Sequence, residues 1–372
     1  MIKRLIHDQI NANLFSGKAI ILLGPRQVGK TTLLKNLASG HPVLWLNADE
    51  PDVRSVLNQA TSTALRNMIG KNKIVIIDEA QRLENAGLTL KLITDNINEV
   101  QLIATGSSSF ELSDKIKESL AGRKWEYHLF PMATEELINH QGALEEKRLL
   151  EHRLIYGYYP EVVTSQQQER EILRSIAESV LYKDVLALEQ IKKPATLERL
   201  LKALALQMGQ EVSFQELGQI VEADKETVER YIYILEQAFI IFRLPAFSRN
   251  ARNELKRARK IYFYDNGIRN SIIANFNTLA LRTDKGALWE NYLVSERMKF
   301  THYNRMLGSS YFWRTAQQQE IDYIEDRDGI LHAFEFKWTG SSKLPKTFSS
   351  AYPEHTFNVI NTENYLDFVT HQ

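Results

Sequence analysis

Residues 24–31 constrain the fold of this chain more than any other stretch, because they form a complete Gly-x-x-x-x-Gly-Lys-Thr motif, GPRQVGKT. An apolar run precedes the motif at residues 19–23, and a pattern typical of a helix follows it at residues 32–37. An ordinary glycine-containing turn after a strand is the alternative interpretation. The motif and its two flanks instead favour a phosphate-binding loop between a strand and a helix, and thus an α/β domain with a parallel sheet.

The chemistry of this loop predicts phosphate binding. Its glycines allow backbone N–H groups to close around a phosphate, and the following helix adds the positive end of its dipole. We expect Lys30 to reach the β- and γ-phosphates of a nucleotide and the hydroxyl of Thr31 to hold Mg²⁺. The loop and the residue after it are predicted to contact the nucleotide: Gly24, Pro25, Arg26, Gln27, Val28, Gly29, Lys30, Thr31 and Thr32.

Two acidic residues follow the apolar segment at residues 74–77. Its consecutive β-branched side chains predict a strand that is buried on both faces, as in a parallel sheet. Ligands gather at the strand ends of open α/β sheets, so we expect Asp78 to hold Mg²⁺, mostly through water. Glu79 is predicted to orient or deprotonate the water that attacks the γ-phosphate. The alternative is that the pair caps the next helix, a position that acidic residues also favour.

The composition excludes several kinds of protein. The chain of 372 residues contains no cysteine, which excludes disulfides and thiolate metal sites and fits a cytoplasmic protein. No apolar stretch reaches the length of about 18 residues that a membrane span needs, so no membrane association is expected. Because 46 basic residues balance 46 acidic ones, binding to nucleic acid would require a local basic patch.

Three segments, GPRQVGKTT, IVIIDEAQ and LIATGSSS, resemble the AAA-type ATPases of bacteria and archaea. They resemble most closely a group whose P-loop domain precedes a winged helix and a nuclease-like C-terminal domain of unknown function. The resemblance implies that ATP is the nucleotide and that Ser107 is a polar sensor residue. It also implies that Arg123 contacts phosphate in its own subunit or in a neighbouring one, and the second case requires a homo-oligomer. A surface cation is the alternative interpretation of Arg123.

The middle of the chain predicts a winged helix-turn-helix. Ser213 begins a helix with a capping box, a short turn and a second helix follow, and two strands are predicted at residues 239–244 and 260–264. The segment 249–260 carries a net charge of +5. Its basic residues are Arg249, Arg252, Lys256, Arg257, Arg259 and Lys260. This segment could bind DNA phosphates, or it could be a solvated wing; the acidic second helix favours nonspecific contact or domain packing over sequence recognition.

A pair of carboxylates is predicted in a C-terminal hairpin. Residues 328–329, Asp-Gly, form a favoured two-residue turn, and this turn places Asp322 directly opposite Glu335. Lys337 then lies on the same face of the hairpin, while aromatic side chains fill the other face. Opposed carboxylates repel each other, and a divalent cation between them removes the conflict. Lys337 could stabilise an attacking water or the charge on a scissile phosphate.

Glu290, on a predicted helix before the hairpin, could complete the metal shell. The four positions Glu290, Asp322, Glu335 and Lys337 resemble the PD-(D/E)XK pattern of restriction-endonuclease-like domains. The resemblance implies a nuclease that acts on DNA, with Mg²⁺ or Mn²⁺ held by Glu290, Asp322 and Glu335.

The predicted fold is α/β throughout. Its domains are an AAA-type P-loop ATPase domain at residues 1–140, a helical linker at 141–193, a winged helix at 194–275 and a PD-(D/E)XK nuclease-like domain at 276–372. One hypothesis for function is a Mg²⁺-dependent ATPase coupled to a DNA nuclease. The alternative is an ATP-driven conformational or assembly switch whose nuclease-like domain only binds nucleic acid or a protein partner. A nucleotide-gated transcriptional regulator is a third hypothesis.

Overall fold

This computed structural model describes residues 2–107, 116, 118–165, 167–180, 185, 191, 193–248 and 259–371. The chain divides into two compact units. The first contains Met1–Pro131, Ser179–Val185 and Gln237–Phe239, and the second contains Met132–Glu178, Leu186–Glu236 and Ile240–Gln372. The predicted domain boundaries after residues 140, 193 and 275 all lie among the residues of the second unit and stay predictions.

The first unit is built on a five-stranded parallel sheet with the order β2-β3-β4-β1-β5. The strands are β1 (Ala19–Leu23), β2 (Val43–Asn47), β3 (Ile74–Asp78), β4 (Gln101–Gly106) and β5 (Lys124–His128). The helices include Ile6–Ala12, Lys30–Leu37, Pro51–Asn58, Ser62–Ile69 and Ala86–Asn96. Every residue of β1 and β4 is buried, which is typical of parallel strands. The predicted α/β class with a parallel sheet is confirmed.

Helices make up much of the second unit. They include Thr134–Gln141, Ala143–Arg148, Leu150–Tyr156, Pro160–Thr164, Glu169–Ser179, Pro194–Leu206, Phe214–Val221, Lys225–Gln237, Asn266–Ile272, Lys285–Tyr303, Lys346–Ala351 and Tyr365–Val369. Among the described residues of the whole chain, no helix combines the length and the apolar character that crossing a membrane requires.

A three-stranded antiparallel sheet, β6-β8-β7, accompanies the two helices that were predicted around residue 223. Its strands are β6 (Glu211–Val212), β7 (Ile241–Pro245) and β8 (Arg259–Phe263). The hydroxyl of Ser213 accepts a hydrogen bond from the backbone N–H of Glu216, as the predicted cap requires. Most of the predicted basic patch, residues 249–258, lies outside the described residues. Lys260 is only 3% exposed, so its assignment to a surface patch was wrong.

The C-terminal sheet has the order β12-β11-β10-β9. Its strands are β9 (Ser309–Arg314), β10 (Glu320–Arg327), β11 (Ile330–Phe336) and β12 (His355–Ile360). Asp328 and Gly329 have φ angles of 52° and 82°, and positive values at both positions are what the predicted two-residue turn requires. Tyr323 pairs with Phe334, which is the predicted register, and both rings are buried.

Buried charges anchor the helix Lys285–Tyr303, which carries Glu290. Glu296 and Lys299 are each 1% exposed, and their charged groups lie 2.6 Å apart. Glu296 also accepts a hydrogen bond from the backbone N–H of Thr134 at 2.7 Å, and Lys299 donates one to the carbonyl of Met132 at 3.0 Å. Moving either residue away from its partner would leave an uncompensated buried charge, which is strongly destabilising. These contacts therefore hold the helix in a defined position.

Candidate functional site

The backbone of the loop at residues 24–29 explains why glycine occupies its two ends. Gly24 has φ 155°, and a Cβ atom at this position would lie 2.1 Å from the carbonyl oxygen of Leu129. Gly29 has φ 93° and directly precedes the helix Lys30–Leu37. Any residue with a side chain is therefore excluded by contact at Gly24 and disfavoured by conformation at Gly29.

Lys30 lies against the loop that precedes it. Its ammonium donates hydrogen bonds to the carbonyl oxygens of Gly24 at 2.6 Å and Pro25 at 2.9 Å, and the side chain is buried. Thr31 and Thr32 are exposed at the start of the helix. This arrangement holds a positive charge at the N-terminus of a helix, which is the geometry that binds anionic phosphate groups.

Sequence reasoning missed Arg4 in this region. Its guanidinium donates to the carbonyl of Val28, inside the loop, and to the carbonyl of Phe130, each at 2.6 Å. The side chain is 6% exposed, so these contacts are shielded from water. Arg4 thus holds the loop in position by bonding the backbone carbonyl of Val28. Nothing in the sequence distinguishes Arg4 from an ordinary N-terminal basic residue.

The acidic pair, Asp78 and Glu79, lies at the same edge of the sheet as the loop at residues 24–29. Because β3, β4 and β1 are neighbours and run parallel, the residues at their carboxyl ends share one edge. Asp78 ends β3 and accepts a hydrogen bond from the hydroxyl of Thr105 in β4. The same hydroxyl accepts a hydrogen bond from the backbone N–H of Glu79 at 3.2 Å. Thr105 was not predicted as a site residue, although it lies beside the predicted Ser107.

Gln81 connects Glu79 to the predicted sensor residue. Its side-chain amide donates to the carboxylate of Glu79 at 2.5 Å and to the hydroxyl of Ser107 at 3.2 Å. Glu79 has a left-handed backbone, with φ 53°, and its side chain makes no capping hydrogen bond to the short helix that follows. Glu79 thus occupies the N-cap position that the capping alternative gave it, but its side chain does not cap the helix. A non-glycine residue in this conformation is typical of functional sites.

Arg123 lies at the opposite edge of the sheet. Its backbone carbonyl accepts a hydrogen bond from Ala19, the first residue of β1, and Lys124 pairs with Ala19 in a parallel register. The length of β1, about 15 Å at 3.3 Å per residue, therefore separates Arg123 from the loop. Its guanidinium instead bonds Asp95 at 2.8 Å. The prediction that Arg123 contacts phosphate in its own subunit was wrong, and contact in a neighbouring subunit stays a prediction.

The predicted carboxylates of the second unit approach one another. One carboxylate oxygen of Asp322 accepts a hydrogen bond from the backbone N–H of Phe336 at 2.7 Å, beside Glu335. The ammonium of Lys337 lies 2.8 Å from the carboxylate of Glu335. The pairing of β10 with β9 shifts register between Ile321 and Ile324, an interval that contains Asp322. Where a register shift is a β-bulge, it changes the direction of a side chain, and bulges often lie beside functional sites.

Glu290 is held by two residues that sequence reasoning did not assign to this site. The ammonium of Lys260 lies 2.9 Å from Glu290 and 2.5 Å from Glu320. The hydroxyl of Tyr262 donates to the same oxygen of Glu290 at 2.7 Å. Lys260, Glu290 and Glu320 line a cavity of about 400 Å³. The residues that line the cavity are Gly209, Gln210, Glu211, Lys260, Glu290, Arg314, Glu320 and Asp322.

Burial and neighbouring charges shift the pKa values of two of these groups. Burial, and then the charges of Glu290 and Glu335, raise the pKa of Asp322 to about 8, despite the opposing charge of Lys260. Burial alone would lower the pKa of Lys260, but Glu290, Glu320 and Asp322 outweigh burial and raise it. The carboxylates are therefore close enough to repel each other, and Lys260 remains positively charged among them.

The predicted metal ligands Glu290, Asp322 and Glu335 do not form a metal site in this arrangement. Within the described ranges, no three His, Cys, Asp or Glu side chains are grouped so that they could hold a metal ion. The physical reason is visible in the contacts, because protein donors occupy all three carboxylates: Lys260 and Tyr262 at Glu290, the N–H of Phe336 at Asp322, and Lys337 at Glu335.

Three family models match separate parts of the chain. The model described as "AAA domain" matches residues 16–138. Two models described as domains of unknown function, DUF8612 and DUF4143, match residues 147–279 and 285–370.

Similar proteins occur in bacteria and archaea, and their functions are uncharacterised. An uncharacterised protein of Mycobacterium tuberculosis is 26% identical over 336 residues, which cover 89% of this chain and 73% of that protein. One of Methanocaldococcus jannaschii is 22% identical over 388 aligned residues, which cover 96% of this chain and 84% of that protein. A solved structure, the Walker-type ATPase of Pyrococcus abyssi, is 15% identical with a TM-score of 0.50 and covers 73% of this chain and 96% of its own.

The fold of the solved ATPase, the match to the AAA family and the strand–loop–helix around Lys30 agree with one another. The first unit of this chain has the fold of a P-loop ATPase domain, and most of it matches the AAA domain model.

Proposed function

We propose that the chain hydrolyses ATP with the help of Mg²⁺ at the carboxyl edge of the parallel sheet. One observation carries this proposal: the phosphate-binding loop after β1, the acidic pair after β3 and Ser107 after β4 lie at the same edge. Their donors and acceptors are the types that phosphoryl transfer requires, because positioning and charge stabilisation supply most of the catalysis.

Each residue has a separate role in this proposal. The loop backbone and Lys30 bind the phosphates, and the ammonium exchanges the carbonyls of Gly24 and Pro25 for phosphate oxygens. The hydroxyl of Thr31 and the carboxylate of Asp78 are oxygen ligands of the kind that Mg²⁺ accepts, so the site fits this ion. Mg²⁺ would neutralise charge on the phosphates.

Glu79 orients the attacking water and accepts its proton in this proposal. Gln81 and Ser107 keep the carboxylate of Glu79 in place through the hydrogen bonds that join them. Arg123 is left with a role only in a homo-oligomer, where a neighbouring subunit would present it to the nucleotide.

Metal removal tests this proposal. We expect ATP hydrolysis to require Mg²⁺ and to stop when EDTA removes it. Asp78→Asn should weaken the apparent Mg²⁺ affinity about 10- to 100-fold, as expected for a group that holds the metal through water. Mg²⁺ titrations of steady-state hydrolysis measure this effect. Asp52→Asn is the matched control, because Asp52 is exposed on the helix Pro51–Asn58. Equal Mg²⁺ affinities of the two variants would contradict the role of Asp78.

A DNA nuclease coupled to the ATPase is a second candidate function. The register shift between Ile321 and Ile324 and the closeness of Glu290, Asp322 and Glu335 favour it, because neighbouring carboxylates destabilise a surface that serves only for packing. The two helices and three strands from Glu211 to Phe263 are consistent with a winged helix that contacts DNA nonspecifically. No catalytic step is assigned to a metal ion here, because Lys260 lies among the carboxylates in this arrangement.

The nuclease candidate has its own test. Purified protein is incubated with single-stranded, duplex and branched DNA and Mg²⁺ or Mn²⁺, with and without ATP. We expect metal-dependent cleavage that Asp322→Ala and Glu335→Ala each abolish, while Asp326→Asn, on the same strand, leaves it intact. If no DNA is cleaved and all the proteins bind DNA equally, the ATP-driven switch becomes the better account.

A further inference from the structure

We propose that the ammonium of Lys260 is a built-in cation of the acidic cluster, defined as Glu290, Glu320, Asp322 and Glu335, and that it competes with divalent metal ions for Glu290, Asp322 and Glu335. The inference rests on the proposed metal-binding role of the cluster. It concerns the regulation of this site and is independent of ATP hydrolysis.

Lys260 is buried, which is unusual for a lysine. Lysine is almost never fully buried unless it is paired, because removing its charge from water is costly. Lys260 is 3% exposed, and it is paired twice, with Glu290 at 2.9 Å and Glu320 at 2.5 Å. The negative charges of Glu290 and Glu320 thus balance the buried positive charge of Lys260, and Lys260 in turn reduces the repulsion between the carboxylates.

The ammonium of Lys260 excludes a divalent metal ion from the cluster by its position and by its charge. A divalent ion that bridges Glu290 and a neighbouring carboxylate requires oxygen atoms at about 2.0 to 2.6 Å on several sides. The ammonium of Lys260 already contacts oxygen atoms of two of these carboxylates. A metal ion and the ammonium would also repel each other strongly at such short range. Binding of the metal ion therefore requires the lysine side chain to leave.

Strand pairing on both sides holds the backbone of Lys260 in place, so only its side chain is free to move. Lys260 lies in the central strand β8, where it pairs with Glu211 of β6 and with Leu244 of β7. Departure of the ammonium is therefore a side-chain movement rather than a movement of the strand. Lys260 also lines the cavity of about 400 Å³ beside the cluster.

Mn²⁺ binding to the nucleotide-free, full-length chain tests the inference, with electron paramagnetic resonance as the readout. Lys260→Gln removes the charge with little change in length, and Lys260→Arg retains the charge. We expect Lys260→Gln to bind Mn²⁺ at least about tenfold more tightly than the wild type, since a contact charge in a partly buried site acts strongly. Lys260→Arg should resemble the wild type. Adding Asp322→Asn to Lys260→Gln should abolish the gain and thereby assign the site.

The results of this experiment distinguish the competition by Lys260 from the metal-binding role of the acidic cluster. Equal Mn²⁺ affinities for the wild type and Lys260→Gln would overturn the competition and leave the metal role of the cluster standing. Absence of Mn²⁺ binding to a folded Lys260→Gln variant would overturn both. Tight binding by Lys260→Arg would show that the charge is not responsible, and would also overturn the competition.

A second variant keeps the test decisive if Lys260→Gln does not fold. Glu320→Gln removes one carboxylate that holds Lys260 and leaves Glu290, Asp322 and Glu335 unchanged. Competition predicts that Mn²⁺ affinity rises, because the ammonium is held less firmly. A cluster in which Glu320 is simply a ligand predicts that Mn²⁺ affinity falls, and that result would overturn the inference. The increase in thermal unfolding temperature on adding Mn²⁺ gives an independent readout.

Discussion

Replacing Lys30 with methionine is expected to remove ATP hydrolysis almost completely. The ammonium of Lys30 is a buried charge on the phosphate-binding loop, where it contacts the carbonyls of Gly24 and Pro25. Methionine has a similar length and carries no charge, so the loop retains its shape but loses its attraction for the β- and γ-phosphates. We expect kcat/KM to fall about 10²- to 10³-fold, the usual effect of deleting one preorganised electrostatic group, with weaker ATP binding as well.

Steady-state hydrolysis and binding of a fluorescent ATP analogue measure both effects. Lys35→Met is the matched control, because Lys35 is exposed on the same helix and should behave as the wild type. Unchanged ATP affinity and hydrolysis in Lys30→Met would contradict the assignment of this loop as the nucleotide site. A comparable loss in Lys35→Met would indicate that the helix as a whole, and not the buried ammonium, is sensitive to substitution.

Replacing Glu79 with glutamine should separate binding from chemistry. The amide keeps the size of the side chain but cannot accept the proton of the attacking water. General base catalysis contributes about 10²- to 10⁴-fold, so we expect kcat to fall within this range while ATP affinity stays close to that of the wild type. Single-turnover hydrolysis at saturating ATP, together with equilibrium binding, distinguishes the two effects.

Glu84→Gln is the control for this change, since Glu84 is exposed a few residues further along the chain. A Glu79→Gln variant with normal kcat would exclude the base role. Loss of ATP binding together with kcat would instead mean that Glu79 is required for the shape of the turn, where its backbone is left-handed and its carboxylate bonds Gln81. The two failures are therefore distinguishable from each other and from the expected result.

Local patterns predicted much of this site from the sequence. The loop at residues 24–31 needs only its neighbouring strand and helix, and both are present. The hairpin register followed from a two-residue turn, because an Asp-Gly turn fixes which residues face each other. These predictions succeeded because each depends on residues that are close in sequence, where backbone geometry leaves few alternatives.

Long-range contacts could not be predicted in the same way. Lys260 is part of a basic run in the sequence, and only the packing of β8 beside the helix Lys285–Tyr303 brings it to Glu290. Arg4 likewise reaches Val28 and Phe130 only after the first unit has assembled. The prediction for Arg123 failed for a different reason. The resemblance assigned a role to Arg123 but did not show in which direction β5 runs. The strand begins next to Arg123, at the edge away from the loop.

The Asp328-Gly329 turn also affects the order of events when the chain folds. Hairpins close in about 1 to 10 μs, whereas pairings between distant segments form more slowly because closing long loops costs entropy. We therefore expect Asp322 and Glu335 to meet early, with Lys337 of the same hairpin already beside Glu335, before Lys260 arrives from a distant strand. The full charge balance of the acidic cluster is therefore expected only after β8 has packed beside the helix Lys285–Tyr303.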